Sequence, residues 1–208
     1  MKNLLFTLCT LLLVLSCKKE EVYSPWKLKN GQIVEIQVSH KYGSTDNQLL
    51  LLPGKEPIDI PLYDFNERET GYSYKVKAKM VGLKEPPMDG SSYYFEFMKV
   101  LNKEKYNGTE TFTIPLIRSV MPGGPYILIR KKEGKYYFEG EKLILKPLNT
   151  EAAAELEMLW QEQMDLEAKW KANQNAVPKW HMVTARVKHD PDNFGKAYIV
   201  EKLTFTTL

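Results

Sequence analysis

Three histidines, His40, His181 and His189, are the first residues to weigh for acid–base or metal chemistry in this chain of 208 residues. They are too scattered for a metal triad, and none shows the spacing of a helical histidine pair. The run His189-Asp190-Pro191-Asp192-Asn193 is rich in oxygen. A calcium loop would need more carboxylates and a closing bidentate glutamate, so the run reads as a polar turn. Asp64, Glu67 and Glu69 lie close together, but a catalytic carboxylate pair is a matter of geometry that spacing alone does not supply. There is no phosphate-cradling glycine loop and no serine elbow. The expected catalytic and metal sets are therefore empty, no cofactor is expected, and the chain reads as a non-enzyme.

Candidate ligand contacts are of a softer kind. Asp89, Ser91 and Ser92 surround Gly90, and their oxygens either pin a turn through nearby N–H groups or face a ligand; the turn reading is preferred. The doublets Tyr93-Tyr94 and Tyr136-Tyr137 place neighbouring rings on opposite sides of a strand, so one ring of each faces outward. Gln163 and Glu167 fall near the middle of an apolar helical stripe. Glu167 there is either at a rim, the preferred reading, or a buried carboxylate facing a pocket. The candidate contacts are thus Asp89, Ser91, Tyr94, Tyr137, Glu167 and Trp180.

The most informative chemistry belongs to a thiol. Lys2 precedes an almost wholly apolar run at 4–15, too short for a bilayer core and of the size of a signal-peptide core. Val14-Leu15-Ser16-Cys17 follows and resembles the bacterial lipobox. That resemblance implies acylation of the Cys17 thiol, cleavage before Cys17 and acylation of the new amine. Two or more acyl chains anchor firmly, at about 0.8 kcal/mol for each buried methylene. Cys9 leaves with the leader, so the mature chain has no disulfide and no thiolate metal site. Lys18-Lys19-Glu20-Glu21 lacks the aspartate that retains enteric lipoproteins at the inner membrane and resembles an export tag of surface lipoproteins. The expectation is an outer-membrane lipid anchor facing either the periplasm or the cell surface, with 1–16 as signal peptide and 17–30 as tether.

The rest must position these residues. A net charge of +3 is too small to argue for nucleic acid, and 43% hydrophobic with 26% charged residues is an ordinary globular composition. From Gly31 the hydrophobic period is two: Val34, Ile36 and Val38 alternate with polar residues, as do Tyr74, Val76, Ala78 and Met80. Strands are expected near 48–52, 92–101, 111–117, 126–131, 135–139, 142–146, 182–188 and 197–205. Residues 150–172 break the pattern: no Gly or Pro, a capping residue at the start, acids early, lysines late. The fold expected is mainly β within the α+β class: one or two small antiparallel OB-like β-barrel units with one long helix. Its units are 31–105 and 106–208. Two hairpins, 76–97 and 183–202, look alike, each after a helical connection, one short at 63–69 and one long, which suggests an internal repeat.

Gly71-Tyr72-Ser73-Tyr74-Lys75-Val76, followed by Pro86-Pro87-Met88-Asp89-Gly90-Ser91-Ser92-Tyr93-Tyr94-Phe95, resembles the bacterial domain of unknown function 4377 over about 32–103. The family's frequent early cysteines are missing from 43–52, and Tyr63-Asp64-Phe65-Asn66 matches its next segment weakly. The resemblance implies an envelope protein, and so supports location more than activity. The expected role is a non-enzymatic binding or structural module of the envelope, its partner an unidentified envelope protein or glycan. The alternatives are an inhibitor of a secreted hydrolase, presenting 84–90 or 121–125, and a surface glycan binder using Tyr94, Tyr137 or Trp180.

Overall fold

A computed structural model describes residues 22–207 except 24, 86, 87, 89 and 121–123, and gives the backbone alone at Val120. Cys17 and Asp89 lie outside the described residues. The fold is mainly β with one long helix, as the alternation of polar and apolar residues dictates.

A short hairpin, β1 (Val22–Tyr23) with β2 (Leu28–Lys29), opens the described chain. It falls within the expected tether yet is packed: Leu28 is buried in the first core, and the Tyr23 ring lies 4.9 Å from Tyr93. The first sheet holds β3 (Ile33–Val38), β4 (Leu49–Leu51), β5 (Glu56–Ile58), β6 (Leu62–Tyr63), β7 (Tyr72–Gly82) and β8 (Tyr93–Lys105). Their order is β5-β4-β3-β7-β8-β6, antiparallel except for the parallel β6–β8 edge. Only residues 59–61 separate β5 from β6, the two edges, so the sheet must curl into a half-barrel. Ile36, Val38, Val76, Ala78, Met80 and Phe95 fill it.

The second sheet contains β9 (Phe112–Pro115), β12 (Ile129–Lys132), β13 (Lys135–Phe138), β14 (Leu143–Pro147), β15 (Met182–His189) and β16 (Ala197–Thr206), ordered β12-β13-β14-β16-β15-β9. A separate hairpin, β10 (Ile117–Val120) with β11 (Gly124–Ile127), joins its two edges. The joint is tied at Leu128, whose N–H donates to the Leu116 carbonyl at 2.8 Å. Helix α1 (Thr150–Lys171) links β14 to β15 and packs on β16, β14 and β12. Its cap is Asn149, one residue before the expected start, and the Asn149 side chain accepts from Ala152 N–H. The curled sheets fit the OB-like expectation.

The two look-alike hairpins are β7–β8 and β15–β16, both long and bulged. Their strand surroundings correspond: β7 and β15 each pair antiparallel with an earlier strand, β3 and β9, while β8 and β16 each pair parallel with another, β6 and β14. Residues 63–69 form no helix but the end of β6 and a turn, so the strand–strand–helix order is not built twice.

Candidate functional site

The loop 39–48 between β3 and β4 reaches across to the second half-barrel. Thr45 N–H donates to the Thr113 carbonyl at 2.9 Å, and the Tyr198 hydroxyl donates to the Tyr42 carbonyl at 2.9 Å. Gly43 has a φ of +74°, and a Cβ on it would stand 2.6 Å from the Phe138 ring. Glycine is required there both for the left-handed backbone and for the close approach. From the other side, the Phe194 ring comes over Gly71, where a Cβ would meet it at 2.6 Å.

This junction brings together two histidines far apart in sequence. His40 Nδ1 and His189 Nε2 are 3.0 Å apart, and His40 Nε2 is 3.2 Å from Glu110 Oε1. A carboxylate only accepts, so His40 Nε2–H donates to Glu110, which leaves Nδ1 to accept from His189 Nε2–H. His189 Nδ1 is then a bare lone pair, and among the described residues it has no partner. The His40 ring stacks on Tyr106 at 3.7 Å; the His189 ring has Phe112, Tyr198, Tyr106 and Phe194 around it at 5.3 to 5.7 Å. Burial drives the His189 pKa down to about 4, helped by His40. Burial also lowers His40, against the pull of Glu110. Two neutral rings in an aromatic box, with no hydroxyl or thiol bonded to His189 Nδ1 among the described residues, make a cross-brace rather than a relay to a nucleophile.

Beside the brace lies a cleft of ≈ 380 Å³. Its polar lining is Tyr42, Gln48, Asn66, Arg68 and Lys142; Leu49, Leu62 and Phe65 supply the apolar wall. Arg68 is held by one nitrogen: Nη2 donates to the Ser39 carbonyl at 2.9 Å and to Gln48 Oε1 at 2.8 Å. Both cations flank Tyr42, with Lys142 Nζ 3.9 Å and the Arg68 guanidinium carbon 5.2 Å from its ring centre. The Tyr42 hydroxyl donates to Glu139 Oε2 at 2.8 Å, and Arg118 takes Oε1 at 3.0 Å. Burial, then Glu139, push the Tyr42 phenol up to about 12. Burial lowers Arg68, and it lowers Lys142, which Arg68 depresses further. Among the described residues no acidic side chain lines the cleft.

The residues singled out from sequence do not converge here. Ser91 is exposed and its hydroxyl donates to the Tyr93 carbonyl at 2.5 Å, pinning the turn. Tyr94 is half-buried, 5.0 Å from Tyr63. Tyr137 is half-buried on β13. Trp180 is only 7% exposed and packs on Phe205 in the second core, so its ring is not free to stack on a sugar. Glu167 is half-buried and accepts from Gln163 Nε2 one turn away at 2.8 Å. Asp190 is fully buried and accepts from Asp192 N–H, Asn193 and Lys146, which makes the His189–Asn193 run a polar turn. Parts of both loops considered for inhibition, 84–90 and 121–125, lie outside the described residues. Among the described residues no three His, Cys, Asp or Glu side chains are grouped to hold a metal ion, and no helix is long and apolar enough to cross a membrane.

Comparison with known proteins gives no match to a family model, to a curated protein or to a solved structure.

Proposed function

We propose that the chain is an envelope lipoprotein tethered to the outer membrane through acylated Cys17, and that its folded part is a non-enzymatic binding module. The order of the first 21 residues supports the location, and so does the resemblance to the domain of unknown function 4377. The binding role rests on one observation: the cleft at the junction, where two cations face a lining without carboxylates. Small-ligand sites commonly combine an apolar wall with a few fixed polar groups, often where two structural units meet. A seat of that kind favours a small envelope ligand over a projecting inhibitory loop.

Fractionation tests the anchor. Cys17→Ala should block incorporation of labelled palmitate and release the chain from the membrane fraction; a mutant that stays membrane-bound overturns it. Hydrogen exchange tests the seat. Residues 39–49 and 62–68 should exchange more slowly when the full chain is incubated with a hydrolysate of envelope polysaccharide. Unchanged exchange in both segments counts against the cleft as the binding site.

A further inference from the structure

We infer that the ligand of this cleft is an acidic saccharide unit, its carboxylate held between Arg68 and Lys142. The inference rests on the cleft being the binding site and adds the ligand's chemistry. Arg68 spends both of its protein hydrogen bonds through Nη2. Among the described residues Nε and Nη1 have no acceptor, and no carboxylate lies within ion-pair distance of Arg68 or of Lys142. Glu139 acts on Arg68 and Lys142 only from beyond ion-pair distance, and its two oxygens are already taken by Arg118 and the Tyr42 hydroxyl. A guanidinium withdrawn from water without a counter-charge is costly. An incoming anion removes that cost, so the cleft is electrostatically suited to one.

The shape of the charge selects the anion. A guanidinium edge offers two parallel N–H groups, which match the two oxygens of a planar carboxylate. Lys142, resting on the Tyr42 ring at 3.9 Å, adds a point charge to the lining. The body of the ligand is chosen by the rest of the lining. Phe65 is fixed by stacking on Phe97 at 4.7 Å, and Asn66 and Gln48 line the same cleft. An apolar ring with amides in the same lining suits a sugar ring with hydroxyls, not a bare inorganic ion. At ≈ 380 Å³ the space is limited to a small unit rather than a long chain.

The test titrates the detergent-solubilised full chain with sodium glucuronate, glucose and inorganic phosphate by calorimetry. Glucuronate should bind about tenfold more tightly than glucose, and its affinity should fall with added salt. Arg68→Gln also loses the ties to Ser39 and Gln48 and so tests folding as much as binding. Lys142→Gln carries the decision: it should weaken glucuronate about tenfold and glucose by far less, so that the preference for the anion is largely lost. Equal binding of glucuronate and glucose overturns the anion assignment while leaving the cleft as a sugar site. Phosphate binding as tightly as glucuronate overturns the saccharide part. Failure of all three probes overturns the ligand assignment outright, while slowed exchange with the hydrolysate would still keep the cleft as the binding site.

Discussion

At the scale of single residues, the His40–His189 brace sets how stability responds to pH. An unfolded histidine titrates near 6.5, whereas folded His189 is held down to about 4 because burial penalises its charged form. Between those values the unfolded chain binds more protons than the folded one, so stability rises with pH across that window. The full contribution is present above about 6.5, is lost as pH falls, and is gone below about 4. His40 is lowered too and acts in the same direction. Glu157 behaves differently: its hydrogen bonds from Lys131, Tyr136 and Gln161 hold it down to about 2, so its contribution is lost only at more acid pH. The expected outcome is a urea midpoint that falls between pH 7 and pH 5 by the equivalent of roughly 2–3 kcal/mol. His189→Gln, which keeps a donor to His40, should flatten that slope; an unchanged slope in the variant would place the titration elsewhere. This pair was not legible in the chain. The two rings are separated by 149 positions, and neither has a neighbour in sequence that hints at the other. The pairing exists because the 39–48 loop and the end of β15 are brought together by two different sheets.

At the scale of elements, alternation is what made the strands readable. Tyr74, Val76, Ala78 and Met80 are buried while Lys75, Lys77 and Lys79 face out, so β7 follows from period two alone. The failures sit where alternation stops. Ile127, Leu128 and Ile129 are all buried in succession, and so are Leu116 and Ile117; the chain breaks its strands at Leu128 and Leu116 to bury both parities. That signal was present in the apolar triplet, but a continuous strand buried on both faces looks the same. The 63–69 connection departs from the expected helix for a related reason: polar residues spaced like a short helix also suit a turn, and Asp64 takes a φ of +67° there. Helix α1 was plain, yet its apolar stripe is narrower than a wheel suggests. Leu156, Leu159 and Leu166 are buried, whereas Met164 is 42% and Trp170 40% exposed. Leu159→Ala should therefore cost about 2–5 kcal/mol in chemical denaturation, and Met164→Ala well under 1 kcal/mol. Similar costs for the two would mean that the helix packs by a different face.

At the scale of the whole molecule, the question is whether two cores fold as one. Each half-barrel has its own buried cluster, and neither cluster contains the other's residues. What joins them is the junction that also forms the candidate site: the histidine brace, the Tyr42–Glu139 bond, Gly43 against Phe138, and Phe194 over Gly71. Phe138 and Tyr198 are fully buried in the second core, and each is touched by the 39–48 loop of the first half-barrel. Unfolding the first half-barrel would therefore uncover side chains of the second. That linkage predicts a single calorimetric transition whose van't Hoff and calorimetric enthalpies agree. Phe194 is the place to break the linkage. It belongs to neither core cluster, yet it contacts Gly71 and lies 5.6 Å from Tyr72 on one side and 5.7 Å from His189 on the other. Phe194→Ala should lower the midpoint of one half-barrel more than the other, broaden the transition and raise the calorimetric enthalpy above the van't Hoff value. Two resolved transitions in the unsubstituted chain would show instead that the junction is too weak to couple the cores. In that case the cleft could open without unfolding either half, and the cations lining it would be held less rigidly for a ligand.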